Sequence, residues 1–137
     1  MMNTRKKGFT LIELVTVVAI VAVLAALAIP AFLDSLRKSR RSDAMNAIMD
    51  IQMARERYRA NNPDYGAAGT VTSLSADGHY SVSLITPSSP SNRTQYSIVA
   101  DALGDQANDS CGDFTLAFNA GTITKTAEGE NDLCWRK

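Results

Sequence analysis

Apolar and polar positions divide this chain into three zones. Between residues 9 and 33, 21 of 25 residues are apolar. Within them, the stretch LVTVVAIVAVLAALAIPAFL, Leu14 to Leu33, is 20 residues long. At about 1.5 Å per residue it spans roughly 30 Å, the thickness of a hydrocarbon core. From 34 to 60 the pattern turns amphipathic, with Leu33, Leu36, Ala44, Ala47, Ile48, Ile51, Ala54 and Tyr58 recurring at helical spacing. The opposite face carries Arg37, Lys38, Arg41, Asp43, Asp50, Arg55, Glu56, Arg57 and Arg59. Met45, Met49 and Met53 form a neighbouring stripe that reads as core filler. Asn61-Asn62-Pro63 is a stop signal. The predicted helix runs from Phe9 to Ala60, roughly 78 Å if continuous.

The third zone alternates. Residues 61–78, rich in Gly, Asn, Asp and Ser, read as a connecting loop. Strands are expected at His79–Thr86, Thr94–Leu103, Phe114–Asn119 and Thr122–Thr126, with PSSPSN joining the first two and Ala120-Gly121 turning between the last two. A helix followed by an antiparallel meander predicts an α+β fold in which the sheet, over 79–137, lies on the amphipathic half of the helix.

Length and charge narrow the picture. The chain has 137 residues, enough for one ordinary domain and too few for a large multidomain enzyme. Its 14 basic and 14 acidic residues cancel, which excludes the overall basicity of a general nucleic-acid binder. The charges are segregated: residues 1–8 hold three bases, 34–59 hold seven bases and four acids, and 60–137 hold four bases and nine acids. Arg5, Lys6 and Lys7 precede the apolar run, so the positive-inside rule keeps them in the cytoplasm and sends the rest of the chain across the membrane. A cleaved secretory signal fits less well, because its apolar region is shorter and the A-x-A-like Ala26–Ala28 lies inside the run. Pro30 sits near the end of the run, where a bend is tolerated.

Glu13 is the only charged residue between 8 and 33. An ionisable group inside a membrane costs about 2.5–3.5 kcal/mol if it lies deep, so it calls for a partner. Lys6 and Lys7, the nearest bases in sequence, are the bland candidates for a snorkelling pair. The string Lys6-Lys7-Gly8-Phe9-Thr10-Leu11-Ile12-Glu13-Leu14 closely resembles the class III signal of type IV pilins and pseudopilins. That resemblance implies cleavage between Gly8 and Phe9 by a prepilin peptidase, methylation of the new Phe9 amine, and retention of 9–33 as membrane anchor and filament core. It also implies that Glu13 pairs with the terminal amine of a neighbouring subunit during assembly. A misplaced subunit would then leave a buried charge unpaired, which is costly. Pro30 matches a position where pilin helices bend or melt in the filament. Removing the leader at 1–8 leaves 11 bases and 14 acids, net −3.

The resemblance also implies export, and two cysteines in an exported chain favour a disulfide, here Cys111–Cys134. In pilins such a bridge bounds the C-terminal region, and many minor pilins end in a similar Cys-Trp. The basic cluster Arg37, Lys38, Arg40 and Arg41 reads as a headgroup contact or as a partner for acidic heads of other subunits. Asp101, Asp105, Asp109 and Asp113 read as a solvated acidic loop, since their spacing does not fit the twelve-residue calcium pattern. Asn92 and Asn108 open tripeptides that fit the glycosylation sequon, a pattern common by chance. His79 reads as a surface histidine, and one histidine with two cysteines makes a poor metal site. No catalytic constellation appears, so no enzyme, cofactor or metal is expected.

The function implied is a structural subunit, major or minor, of a type IV pilus, with adhesion and twitching motility as the family's activities. Its partners are other pilin subunits, the prepilin peptidase, the pilus assembly platform and the inner membrane, with the head periplasmic before assembly and extracellular afterwards. A type II secretion pseudopilin and a DNA-uptake pilin are the alternatives. The latter is disfavoured here because Arg93, Lys125, Arg136 and Lys137 are the only bases after residue 60, against nine acids.

Overall fold

The computed structural model describes residues 8–129 and 131–136. The basic leader residues Arg5, Lys6 and Lys7, and Lys137 at the other end, lie outside the described residues. The chain divides into two compact units between Ser35 and Leu36.

In the first unit, helix α1 (Leu11–Asn61) begins. Thr10 caps it: the Glu13 N–H donates to Thr10 Oγ1 at 3.3 Å, in a Thr-x-x-Glu arrangement typical of helix starts. Thr16 Oγ1 donates back to the Ile12 carbonyl at 2.7 Å, which satisfies its hydroxyl in an apolar setting. The helix is unbroken through Pro30, although proline cannot donate to the Ala26 carbonyl. Its apolar side chains, from Phe9 to Phe32, are exposed all round. It is long and apolar enough to cross a membrane.

The second unit holds the remainder of α1 and a five-stranded sheet. The strands are β1 (Gly69–Leu74), β2 (Tyr80–Thr86), β3 (Gln95–Ala102), β4 (Phe114–Asn119) and β5 (Thr122–Ala127). They form an antiparallel meander in sequential order. Alternation works as expected on the central strands. Tyr80, Val82 and Leu84, then Tyr96, Ile98 and Ala100, then Phe114 and Leu116 face inward and pack with Ala44, Met45 and Ile48 of α1. Two aromatic groups close the ends of this core. Tyr65, Tyr96 and Phe118 meet at 4.8–5.2 Å between ring centroids, and Phe114 meets Trp135 at 5.3 Å.

Three expectations are corrected. The loop expected over 61–78 contains strand β1, whose six residues are all exposed because it is an edge strand. Ala54 and Tyr58 are exposed rather than core-facing, because the buried stripe of α1 is confined to its middle turns. Of the methionine stripe, only Met45 is buried, while Met49 and Met53 face solvent. The helix also runs one residue past the expected stop. There the Asn61 and Asn62 side-chain amides donate to the Arg57 and Tyr58 carbonyls, satisfying acceptors that a helix end leaves open.

Candidate functional site

The N-terminal segment brings Gly8, Phe9 and Glu13 together by sequence alone. Phe9 is 84% exposed. Glu13 lies in the first turn of α1, where the helix dipole favours a carboxylate. This local stabilisation is readable in Thr10-x-x-Glu13, a pattern that the charge of Glu13 overshadows in the sequence.

At the other end of the chain, Cys111 and Cys134 form the expected disulfide. The bridge holds a short helix, α2 (Asn131–Cys134), against the sheet. Trp135 Nε1 donates to the Thr126 carbonyl at 3.1 Å, and Lys125 lies 5.1 Å from its ring. The tail is therefore pinned to the end of β5, most of which stays exposed and carries a lysine, a residue that blunts an edge strand.

The acidic stretch is a solvated loop only in part: Asp105 is exposed, whereas Asp101 and Asp113 are half-buried. Asp109 is buried and accepts two 2.7 Å bonds from the Arg41 Nε and Nη2. Arg41 also reaches Ser110 Oγ, and Arg37 Nε donates to the Asp105 carbonyl. Gln106, buried in the same loop, donates from Nε2 to the Arg37 carbonyl and to the Tyr80 hydroxyl. Asp113 accepts from the Ala102 N–H at 2.7 Å. Burial, and the Asp113 charge after it, raise the Asp101 carboxyl above its usual value. Two members of the basic cluster thus serve their own head: Arg37 and Arg41 clamp the 104–110 segment onto α1. Among the described residues no group of acids, histidines or cysteines could hold a metal ion.

Asp43, expected on the polar face of α1, is also buried. It accepts from Ser75 Oγ at 2.6 Å and from the backbone N–H groups of Asp77 and His79. One carboxylate so fixes the β1–β2 turn to the helix. Nothing in the periodicity marks it out, because its partners lie more than 30 residues away. Asn92, the first sequon asparagine, is buried and donates to the Gly66 carbonyl, which removes it as a sugar acceptor.

Three arginines lie in the last turns of α1, Arg55 and Arg59 on one face and Arg57 on the opposite one, and Arg93 ends the 3₁₀ helix that is stitched to this end of the helix. Tyr65 N–H donates to the Asn92 carbonyl, which together with the Asn92–Gly66 bond stitches the turn after α1 to the 3₁₀ helix Ser91–Arg93. Arg55 Nη1 donates to the Tyr65 carbonyl, and Arg59 stands 5.8 Å from the Tyr65 ring. Arg57 and Arg93 are exposed. The nearby acids are engaged internally. Glu56 accepts from the Tyr96 and Tyr65 hydroxyls, and Asp64 accepts from the Gly66 N–H. Burial first, and Glu56 second, raise both tyrosines above their usual value. Exposed Tyr58 lies 5.9 Å from the Arg55 guanidinium and adds an aromatic surface to this pole.

An apolar helix of membrane length followed by a small antiparallel head with a C-terminal disulfide defines a pilin-type subunit. Residues 3–29 match the family described as the prokaryotic N-terminal methylation motif. Residues 30–115, more than half of the chain, match the family described as type IV minor pilin ComP, DNA uptake sequence receptor. The chain belongs to this ComP family of type IV minor pilins. No curated protein and no solved structure matches it.

Proposed function

We propose that this protein is a minor subunit of a type IV pilus whose head contacts DNA through the pole formed by Arg55, Arg57, Arg59 and Arg93. Residues 9–33 anchor it in the inner membrane with the head on the periplasmic side. Cleavage between Gly8 and Phe9 and methylation of the Phe9 amine precede its entry into the filament. In the filament Glu13 pairs with the amine of an adjacent subunit, and the chain bends at Pro30.

One observation carries the DNA reading beyond the family's name. The helix arginines fold into the same unit as Arg93, while their neighbouring acids are held by tyrosines and backbone. A count of the bases after residue 60 alone disfavours nucleic acid, but it omits the three arginines of the last helical turns. Exposed guanidinium groups such as those of Arg57 and Arg93 neutralise phosphates and release counterions, the sequence-independent part of DNA binding.

The test is duplex DNA binding by the full chain in detergent, measured across a salt series. Arg57→Gln with Arg93→Gln should weaken binding and lower the slope of log affinity against log salt by about one for each phosphate no longer neutralised. An unchanged slope would place the DNA surface elsewhere.

A further inference from the structure

A cavity of about 480 Å³ lies between α1 and the C-terminal tail, lined by Lys38, Ser39, Arg41, Ser42, Met45 and Arg136. We propose that it binds the phosphate headgroup of an anionic phospholipid while the subunit waits in the membrane. The proposal rests on the reading above that residues 9–33 span the bilayer.

The chemistry is one-sided. Three of the six lining residues are cations, of which Arg41 is already paired with Asp109, two carry hydroxyls and none of the six is acidic. Lys38, Arg41, Ser42 and Met45 recur three and four residues apart, so they share one helix face. The walls are held in place. The 2.7 Å pair of bonds to Asp109 fixes Arg41. Arg136 follows two residues after the disulfide-bonded Cys134, and its neighbour Trp135 is pinned by Phe114 and the Thr126 carbonyl. Buried Met45 supplies an apolar wall beside the charges. Cations, hydroxyls and an apolar wall suit an amphiphilic anion better than a bare one.

Position selects a lipid over other phosphates. Lys38 comes five residues after Leu33, the last residue of the apolar run. At no more than about 3.6 Å per residue, the chain cannot carry Lys38 further than roughly 18 Å from that residue, whatever its conformation. The cavity is therefore tethered within reach of the headgroup layer, where juxtamembrane cations attract anionic lipid. The arginine pole assigned to DNA begins only at Arg55, 17 residues further along.

The experiment uses the full chain in detergent micelles with equal amounts of phosphatidylglycerol and phosphatidylcholine of identical acyl chains, read by native mass spectrometry. The wild type should retain phosphatidylglycerol preferentially. Lys38→Gln with Arg136→Gln should reduce that preference about fivefold for each cation removed, and Lys38→Arg should retain it. Arg57→Gln, in the DNA pole, should leave it unchanged. Disulfide formation and circular dichroism confirm that the variants fold. An undiminished preference in the double variant overturns the proposal. So does inorganic phosphate that is retained in phosphatidylcholine-only micelles by the wild type and not by the double variant, which assigns the cavity to a free anion. Displacement of the lipid by short duplex DNA also overturns it and assigns the cavity to nucleic acid. Protease protection in vesicles separately reports membrane insertion, so failure of the anchor is distinguishable from failure of the cavity.

Discussion

Replacing Arg41 with methionine isolates the clamp between the helix and the 104–110 segment. Methionine keeps much of the aliphatic stem and removes the guanidinium. The Asp109 carboxylate, fully buried, then loses both of its 2.7 Å charge-assisted bonds. Removing one partner of a buried pair leaves an uncompensated charge and costs about 3–5 kcal/mol, whereas an exposed ion pair contributes at most about 1 kcal/mol. For a unit of about 100 residues, a loss of that size lowers Tm by more than about 10 °C. Thermal unfolding of the full chain in detergent, followed by near-ultraviolet circular dichroism of Trp135 and the tyrosines, reads the change. Arg41→Met combined with Asp109→Leu should recover much of the loss, because an apolar pair of similar volume carries no stranded charge. A single variant within about 1 kcal/mol of wild type would refute the clamp. A double variant no more stable than the single would show that the cost came from poorer packing and not from the buried carboxylate.

Three further outcomes are expected. Glu13→Ala should insert into the membrane and lose its leader normally but fail to enter filaments, as read by immunoblot of sheared pili; incorporation at the wild-type level would refute the pairing role. Cys111→Ser with Cys134→Ser should cost about 3 kcal/mol, because the bridge spans a sequence separation of 23, and should loosen the tail enough to raise exchange of the Trp135 indole proton. Alkaline unfolding should be steep. Burial pushes the Tyr80 hydroxyl up to about 12 and also raises Tyr96 above the ordinary value of 10.0. Their folded pKa values exceed the unfolded ones, so this stability is fully present below pH about 10 and is lost as pH rises through the folded values. Tyr80→Phe should flatten the melting profile between pH 10 and about 12, and an unchanged profile would mean that other groups control it.

The parts legible in the sequence are those governed by local periodicity. The apolar run, the amphipathic stripe around Ala44 and Ile48, and the alternation of Tyr80–Leu84 and Phe114–Leu116 each repeat with the period of the element that they form. The N-terminal motif is legible because its residues are consecutive. Long-range polar pairs are not. Asp43 and Arg41 look like surface residues of an amphipathic helix, and only the fold brings Ser75 and Asp109 to them. Strand β1 escapes for a different reason: GTVTSL is an edge strand with no buried side chain, so no alternation betrays it. The arginines proposed to meet DNA are divided between the end of the helix and the 3₁₀ helix before β3, and only the Tyr65–Asn92 stitch joins those two segments.

Maturation is the event on which the whole reading depends, and intact mass spectrometry of the protein recovered from a pilus-assembling host measures it directly. The expected species begins at Phe9, carries one methyl group on its amine and is two hydrogens lighter than the reduced chain, for the Cys111–Cys134 bridge. A species that begins after Ala28 would contradict it, because cleavage there removes Phe9, Glu13 and most of the anchoring helix.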